Sequence, residues 1–437
     1  MFYHIWTEGC QMNAADSLRL SHALESLGYV NTETPEKADV LVLNTCVVRQ
    51  SAENKALGRL SSLRPLKQAN PALVICLMGC LVGIHGNPAL QQRFPWVDVF
   101  SGPSDPAPLL EYLANHQQAQ QSELWRERID VLMDEEFGVR APNSAYAVSE
   151  NLPIVLGCSY ACAYCVIPFK RGKERSRNAA KILEEAQKMV SDGVREIVLL
   201  GQIVDRYGLD LPNSPLLPEL LEKLSEITGL LRIRFLTSHP NWMTDELIST
   251  VARLPKVMPH IEVPIQAGDD EVLANMRRGY TARNYRDLIY KLRESIPGVS
   301  IATDIIVGFP GESAAAFQNT YGLLEDLRLD VAHLARYSPR EHTYSATHLP
   351  DDVSADEKMR RFRALENLQE RTVTELNQRY LAQTVPVLFE GKSKNRWRGR
   401  TPTNRLVFVE SDEELLGQEK MVKISWTGPW SLLGELA

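Results

Sequence analysis

The sequence lacks the features that mark membrane and exported proteins. Its 437 residues contain no apolar run close to the ~18 residues that a membrane helix needs. Residues 1–4 do not begin a basic segment followed by an apolar one, as an export signal would. These absences predict a cytoplasmic protein with no membrane partner. With 44% hydrophobic residues the chain can bury sizeable cores, and its length allows two or three domains.

Cysteine is scarce, yet three of the seven cysteines lie in one short segment. Cys158, Cys162 and Cys165 follow a C-x3-C-x2-C spacing. A disulfide would leave one of the three unpaired. In a reducing compartment cysteines are more often metal ligands, catalytic thiols or buried residues. The segment therefore predicts a metal site rather than a disulfide.

Two further absences weigh against a structural zinc ion at this segment. Such a zinc ion needs four protein ligands, but no histidine lies between His116 and His239, and no cysteine follows Cys165. Three thiolates are enough for a 4Fe-4S cluster, in which they bind three irons and leave the fourth open. The segment therefore indicates a cluster whose open iron takes part in chemistry.

The first third of the chain has the pattern of a doubly wound parallel sheet. Apolar runs at 2–6, 40–43 and 72–78 predict buried strands. Helical patterns at 14–27 and 52–63 lie between them. The carboxyl ends of neighbouring parallel strands meet at one edge of such a sheet, where ligands bind.

Each of the three predicted strands leads to a cysteine: Cys10, Cys46 and Cys80. Because the strand ends converge, these cysteines are expected to form a second cluster site. The alternative is that three cysteines fall at strand ends by chance. Cys76 lies inside the third strand and is expected to be a buried packing residue.

A polar segment at 115–121 and the weakly periodic residues up to 150 predict a linker. Beyond it, strand and helix patterns alternate six times, which predicts a partial (β/α)6 barrel of the TIM type. The expected strands are 154–156, 196–200, 231–237, 260–265, 300–307 and 331–336.

Ligands of such barrels bind at the carboxyl ends of the strands. Glycines there let a ligand approach the backbone, and polar side chains can hold its ribose, amine and carboxylate. The alternative for the glycines is that they merely end strands. The expected cofactor-binding residues are Gly201, Gln202, Ser238, Gln266, Gly268, Gly308 and Glu312.

The last part of the chain reads as a helix at 355–380 followed by short apolar segments separated by turns, which predicts a small antiparallel β-barrel of the oligonucleotide-binding style. The net charge of −7 argues against a general nucleic-acid binder. However, the segment 392–405 carries six basic residues and no acidic one. Either it is a solvated face or it binds nucleic acid through Lys392, Lys394, Arg396, Trp397, Arg398, Arg400 and Arg405.

With both cysteine triads placed, the chain resembles the radical S-adenosylmethionine methylthiotransferase family over nearly its whole length. The resemblance is carried by Gly9-Cys10-Gln11-Met12-Asn13, Asn44-Thr45-Cys46, Gly79-Cys80, the loop Gly157 to Arg177, Thr237-Ser238-His239-Pro240 and Gly399-Arg400-Thr401 with Asn404-Arg405. It implies an N-terminal methylthiotransferase domain at 1–118, a radical domain at 144–374 and a TRAM domain, which binds RNA in this family, at 377–437.

The resemblance also implies the chemistry. Two 4Fe-4S clusters and S-adenosylmethionine are the cofactors, and an external donor supplies electrons. The cluster on Cys158, Cys162 and Cys165 forms a 5′-deoxyadenosyl radical, while the N-terminal cluster carries the sulfur and is methylated on it. The implied substrate is carbon 2 of isopentenyl-adenosine at position 37 of the tRNA anticodon stem-loop, 3′ of the anticodon, and the implied enzyme is a monomer.

Other substrates remain open at this point. They are threonylcarbamoyl-adenosine in tRNA and an aspartate of a ribosomal protein, and a more distant alternative is a non-catalytic iron-sulfur protein that binds RNA. Some residues depart from the family pattern: Glu262 and Ala267 replace a histidine and a serine, and Glu341-His342 replaces Pro-Gly. These departures concern the shape of the substrate pocket.

Overall fold

The computed structural model describes residues 1–47, 50–116 and 147–437. Most of the predicted linker at 115–121 lies outside these residues, and its first two residues end a helix. The chain forms two compact units. The first holds the described residues up to 116 together with Gly157–Tyr160 and Cys165–Glu174, and the second holds the rest.

The first unit contains a parallel sheet of five strands in the order β2-β1-β3-β4-β5. The three predicted strands are present, and each of their bounds differs from the prediction by at most two residues. Strands β2 and β5 are too short to show a period in the sequence. The strands are β1 Phe2–Glu8, β2 Val30–Asn31, β3 Val40–Thr45, β4 Val74–Gly79 and β5 Val99–Ser101.

Helices cover both faces of this sheet, as the doubly wound pattern predicts. Leu41 and Leu43 of β3 pack into one core, while Val40 and Val42 pack into the other. Cys76 is fully buried in the second core, and burial raises the pKa of its thiol to about 12, as expected of a packing residue. The helices are α1 Gln11–Ser26, α2 Gln50–Ala69, α3 Pro88–Arg93 and α4 Ala107–His116, with a 3-10 turn at Pro35–Lys37.

Six parallel strands in the second unit form the partial barrel, as two sheets with the orders β10-β9-β6 and β11-β12-β13. An isolated bridge between Ile233 and Val257 joins the two halves. The short pair β7 Val155–Leu156 and β8 Arg175–Ser176 lies outside them. The barrel strands are β6 Ser149–Pro153, β9 Glu196–Leu200, β10 Arg232–Phe235, β11 His260–Glu262, β12 Ser300–Val307 and β13 Val331–Arg336.

The prediction of the first barrel strand at 154–156 was wrong. The strand that pairs in parallel with β9 is β6, whose first three residues are polar and only half-buried because it lies at the sheet edge. Two further strands end earlier than predicted: β10 ends at Phe235, just before Thr237 with its positive φ of 64°, and β11 ends at Glu262 rather than at 265.

Helices alternate with the barrel strands, and a long helix, α13, follows them. Their bounds are α5 Ile167–Arg171, α6 Ala179–Ser191, α7 Leu217–Ser225, α8 Asp245–Arg253, α9 Asp270–Asn275, α10 Ala282–Ser295, α11 Ala314–Leu327, α12 Tyr344–His348 and α13 Ala355–Gln378, with a 3-10 turn at Val204–Arg206. Among the helices that the structure describes, none combines the length and apolar character that crossing a membrane requires.

The chain ends in a closed barrel of five strands in the order β14-β15-β16-β18-β17. Its pairs are antiparallel except for β16 with β18. Val387, Phe389 and Val407 are among the residues that fill it. The strands are β14 Thr384–Ser393, β15 Arg396–Arg400, β16 Leu406–Val409, β17 Glu419–Thr427 and β18 Leu432–Leu436.

Candidate metal centres

The first unit brings Cys10, Cys46 and Cys80 to the carboxyl edge of its sheet, each just after a strand. The Cys80 amide donates to the Thr45 carbonyl at 2.9 Å, which ties two of the strand ends together. A Cβ on Gly9 would lie 2.7 Å from the Cys46 Cβ, so the chain before Cys10 packs directly against Cys46. Cys46 and Cys80 are buried, and Cys10 is exposed. The converging strand ends therefore place the three cysteines at one edge of the sheet, and their role as cluster ligands stays a prediction.

Two asparagines explain the motifs around these cysteines. The Asn13 Nδ2 donates to Asn44 Oδ1 and to the Thr45 carbonyl, both at 2.9 Å, and the Asn44 Nδ2 donates back to the Asn13 carbonyl at 2.8 Å. Both side chains are fully buried. Because they cross-link the start of α1 to the end of β3, they fix the spacing between Cys10 and Cys46.

The surroundings of the sulfur atoms favour a thiolate at Cys10 but not at Cys80. A hydrogen bond with Cys46 and the positive charge of Arg171 lower the pKa of Cys10 to about 6, against the opposing desolvation of its thiol, although the residue as a whole is exposed. Burial raises the pKa of Cys80, and Arg171 opposes that rise. Thiolates are the form that binds iron, so this donor set fits a 4Fe-4S cluster with three protein ligands.

Arg171 is a site residue that the sequence did not single out. Its Nε donates to the Cys80 Sγ at 3.2 Å, its Nη1 donates to the Ser104 Oγ at 3.2 Å, and its Nη2 pairs with Asp16 Oδ2 at 3.1 Å. The side chains of Arg171 and Asp16 are only 3% and 1% exposed. Residues so far apart in sequence carry no pattern that would pair them.

The second triad lies on the loop between β7 and α5. The Cys158 amide donates to the Gly172 carbonyl at 3.0 Å, and the Tyr160 amide donates to the Cys158 Sγ at 3.4 Å. Gly157 has a φ of 67°, and a Cβ there would lie 2.2 Å from the Lys173 carbonyl oxygen. The backbone thus presents Cys158 in a conformation that only glycine at 157 allows.

Arg278 is the second site residue that the sequence did not single out. Its Nη1 donates to the Cys162 Sγ at 3.1 Å, and its other donors go to the Pro264 carbonyl at 3.1 Å and the Tyr280 hydroxyl at 2.7 Å. The Ala163 amide donates to the Met276 carbonyl at 3.0 Å, which anchors the middle of the loop. The thiols of Cys158 and Cys162 both accept donors, so the second triad also fits an iron-sulfur cluster.

The predicted S-adenosylmethionine residues lie at the carboxyl ends of the barrel strands. Ser238 and Glu312 are 2% and 3% exposed, and neither the Ser238 Oγ nor the Glu312 Oε1 has a hydrogen-bond partner within the described residues. The other Glu312 oxygen accepts from the Gly308 amide at 2.6 Å and from Arg361 at 2.7 Å. Buried polar atoms left in this way are suited to a polar ligand.

The remaining predicted residues at this end shape the backbone. Gly201 and Gly268 are closely packed, since a Cβ would lie 3.1 Å from Val204 Cα and 2.6 Å from Thr320 Cα. Gln202 is half-buried and Gln266 is buried. The assignment of all seven residues to cofactor binding stays a prediction.

Glu262, one of the departures from the family pattern, lies beside two other titratable groups. A ligand atom of Glu262, one of Asp304 and one of His333 all lie within 4.8 Å of one another. Burial, and secondarily the charge of Asp304, raise the pKa of Glu262 to about 7.

The residues of the basic segment have different surroundings in the structure. Lys392, Lys394, Arg396 and Arg398 are exposed, as RNA binding requires. Trp397 is 3% exposed and donates its Nε1–H to the Glu413 carbonyl at 2.9 Å. Its burial gives it a packing role in the small barrel.

Arg405 faces the β/α barrel with its side chain, whereas Arg400 contacts it through its backbone carbonyl and pairs its side chain with Glu390 at 3.5 Å. The Arg400 carbonyl accepts from Arg232 at 2.7 Å, and Arg405 pairs with Asp330. Arg234 donates to the Thr401 carbonyl at 2.9 Å. The small barrel is thus fixed at the amino ends of the β/α strands, opposite Ser238 and Glu312.

Comparison with family models assigns three segments. Residues 3–102 match the uncharacterized protein family UPF0004, residues 152–324 match the radical SAM superfamily and residues 378–437 match the TRAM domain. Among solved structures, the chain is similar to TsrM from Kitasatospora setae, a radical S-adenosylmethionine methyltransferase solved with cobalamin and a 4Fe-4S cluster. The TM-score is 0.52 at 13% identity, covering 79% of this chain and 73% of that one, which supports the fold alone.

Named relatives match over the full length. The chain is 48% identical over 439 residues to the tRNA-2-methylthio-N(6)-dimethylallyladenosine synthase of Roseiflexus sp. (strain RS-1), covering 100% of this chain and 89% of that one. It is 47% identical over 435 residues to the protein of the same name in Chloroflexus aurantiacus, covering 99% and 91%. The chain therefore belongs to the radical S-adenosylmethionine methylthiotransferase family, in the branch whose named members are tRNA-2-methylthio-N(6)-dimethylallyladenosine synthases.

Proposed function

We propose that this protein replaces the hydrogen on carbon 2 of a dimethylallyl-adenosine in tRNA with a methylthio group. The nucleoside is the one 3′ of the anticodon, as the family resemblance implies. The observation that carries the proposal is the presence of two separate cysteine triads in one chain, each with a buried arginine on a ligand sulfur. One triad serves radical formation and the other serves sulfur transfer.

The triad of Cys158, Cys162 and Cys165 and the strand ends of the β/α barrel have separate roles toward S-adenosylmethionine. Carbon 2 of adenine is unactivated, so a carbon radical is needed to remove its hydrogen. Cys158, Cys162 and Cys165 would hold a 4Fe-4S cluster, which would supply the electron that cleaves the sulfonium of S-adenosylmethionine. Ser238 and Glu312 offer buried polar atoms to bind the cofactor. One S-adenosylmethionine would provide the methyl group for a sulfur held at the triad of Cys10, Cys46 and Cys80, and a second would take up the hydrogen from carbon 2 as 5′-deoxyadenosine.

The RNA-binding part of the proposal rests on the TRAM domain. Its exposed residues Lys392, Lys394, Arg396 and Arg398 can contact phosphates of the anticodon stem-loop. The reacting base must leave its stack to reach the chemistry. Because a single chain holds both triads and the RNA-binding domain, we propose that a monomer acts in the cytoplasm with an external electron donor.

Mass spectrometry of tRNA nucleosides from cells with and without the gene tests this proposal. Without the gene, the methylthio form of dimethylallyl-adenosine should disappear and dimethylallyl-adenosine should accumulate. Restoring the gene should reverse both changes, whereas a copy lacking Cys158, Cys162 and Cys165 should not. Accumulation of threonylcarbamoyl-adenosine without its methylthio form, or an unmodified aspartate in a ribosomal protein, would contradict the proposed substrate.

A further inference from the structure

Each cysteine triad has one buried arginine that donates a hydrogen bond to a ligand sulfur. Arg171 donates to Cys80 at 3.2 Å, and Arg278 donates to Cys162 at 3.1 Å. Counted as whole residues, backbone included, Arg171 and Arg278 are 8% and 5% exposed. Burial of a guanidinium is costly, so its repetition at both triads needs an explanation.

At Cys80 the guanidinium is fixed from two further sides. Ser104 and Asp16 take its Nη1 and Nη2, and the Ser104 hydroxyl also donates to Asp16 Oδ1 at 2.6 Å. This arrangement leaves the Nε–H as the donor that faces sulfur. The direction of the donor is therefore set by the protein before any cluster binds.

At Cys162 the same result is reached with neutral partners. The Nε of Arg278 donates to the Tyr280 hydroxyl, and its Nη2 donates to the Pro264 carbonyl. The Tyr280 hydroxyl itself donates to the Ile265 carbonyl at 2.9 Å. These bonds hold the guanidinium so that Nη1 faces the sulfur.

The physical effect of such a donor follows from charge. A 4Fe-4S cluster bound by three thiolates is negatively charged and gains a further negative charge when it is reduced. A cationic donor on a ligand sulfur stabilises the reduced form more than the oxidised form, and low solvent exposure strengthens the effect. Hydrogen bonds to sulfur and local charge are established determinants of cluster potentials.

We propose that Arg171 and Arg278 are positioning residues that hold Cys80 and Cys162 for ligation and separately raise the reduction potentials of the two clusters. The inference rests on the proposed function, which assigns one cluster to each triad. Each arginine acts on its own cluster, so the two potentials can be set independently within one chain.

Redox titration of the full-length protein, followed by electron paramagnetic resonance, tests the proposal one cluster at a time. The N-terminal cluster is isolated by replacing Cys158, Cys162 and Cys165 with alanine, and the radical cluster by replacing Cys10, Cys46 and Cys80. In the first background, Arg171→Gln is combined with Asp16→Asn so that no carboxylate is left buried without its cation. In the second background, Arg278→Gln is used alone.

In each case we expect the ratio of reduced to oxidised cluster at a fixed potential to fall about tenfold, which is about 59 mV for one electron. Arg278→Gln placed in the first background is the matched control and should leave the N-terminal potential unchanged. The charge-conserving Arg171→Lys and Arg278→Lys should recover part of the shift. Loss of iron confined to the triad of the substituted arginine would support the positioning role.

Unchanged potentials in the glutamine variants would overturn the proposal, and so would an Arg278→Gln shift of the N-terminal cluster as large as its shift of the radical cluster. An arginine substitution in the protein that keeps all six cysteines would also overturn it if iron were lost from both triads, because the substitution would then act on folding. If the two cysteine-triad variants bind no cluster before any arginine is changed, that result contradicts the proposed function, which assigns one cluster to each triad.

Discussion

At the scale of single residues, the cysteine sites depend on backbone positions that only glycine can occupy. Gly157, which precedes Cys158, has a φ of 67° and no space for a side chain. A motif search finds the cysteines, but the reason for the neighbouring glycine appears only in three dimensions. The same holds for Arg171 and Arg278, whose partners lie 91 and 116 residues away.

Gly157→Ala should therefore remove iron from the Cys158 triad. The positive φ costs roughly 1–3 kcal/mol for a residue other than glycine, and the new Cβ would also meet the Lys173 carbonyl. Gly298→Ala is the matched control, since Gly298 has a φ of 69° with no atom within 4 Å of the added Cβ among the described residues. Iron analysis should show loss in the first variant only. Equal iron content would contradict the assigned role of Gly157.

Glu262 predicts a pH dependence of stability. Its pKa is raised from 4.5 to about 7 by burial first and Asp304 second, so the folded state binds the proton more tightly. The stabilising contribution is fully present below pH 4.5 and is lost as the pH rises through about 7. Glu262→Gln should then gain stability relative to the native protein as the pH rises between those limits, by on the order of 2 kcal/mol.

Denaturant unfolding at pH 5 and pH 8 measures this difference. Asp304→Asn should keep most of the pH dependence, because burial is the larger cause. If the free energy of unfolding of Glu262→Gln differs from that of the native protein by the same amount at both pH values, the pKa of Glu262 is not raised.

At the scale of elements, central strands were predicted better than edge strands. The apolar runs before Cys10, Cys46 and Cys80 identified the central strands of the first sheet, and β3 and β4 are buried on both faces as central parallel strands are. Strand β6 was misplaced because an edge strand with polar residues lacks that signal. In the C-terminal barrel, the sequence was sufficient to identify the basic segment 392–405 from its charge. Its division into an exposed part with Lys392, Lys394, Arg396 and Arg398 and a docked part with Arg405 depends on tertiary contacts.

The docking of the C-terminal barrel predicts unequal effects of two arginine substitutions. Arg405 pairs with Asp330, and their side chains are 9% and 4% exposed, while Arg396 pairs with Glu410 at 47% and 73% exposure. Arg405→Met leaves a buried carboxylate with fewer partners and should cost roughly 3 kcal/mol. Arg396→Met should cost less than about 1 kcal/mol. Thermal unfolding compares them, and equal shifts would contradict the docking role.

The exposed end of the basic segment predicts a salt effect on RNA binding. Replacing Lys392 and Lys394 with alanine should weaken tRNA binding and reduce the slope of log K against log salt by about 0.7–0.9 for each phosphate that is no longer neutralised. Replacing Lys181 and Lys188 on α6 makes the same charge change elsewhere and is the control. An unchanged slope in the first variant would show that the lysines are only a solvated face.

At the scale of the whole molecule, one chain carries two cysteine triads to which different tasks are assigned. Sequence spacing was sufficient to find the loop of Cys158, Cys162 and Cys165, and strand topology was sufficient to bring Cys10, Cys46 and Cys80 together. Three features could be found only in the folded structure: the sulfur contacts of Arg171 and Arg278, the unpartnered oxygens of Ser238 and Glu312, and the docking of the TRAM domain. Each depends on how segments distant in sequence pack together, and no sequence period reports that packing.

The most direct test of this division follows two products in one anaerobic assay with reductant, S-adenosylmethionine and dimethylallyl-adenosine tRNA. Without Cys10, Cys46 and Cys80, the protein should keep about four of roughly eight irons and form 5′-deoxyadenosine but no methylthiolated tRNA. Without Cys158, Cys162 and Cys165 it should form neither product, with circular dichroism confirming the fold of both variants. Methylthiolated tRNA from the variant lacking Cys10, Cys46 and Cys80 would contradict the account.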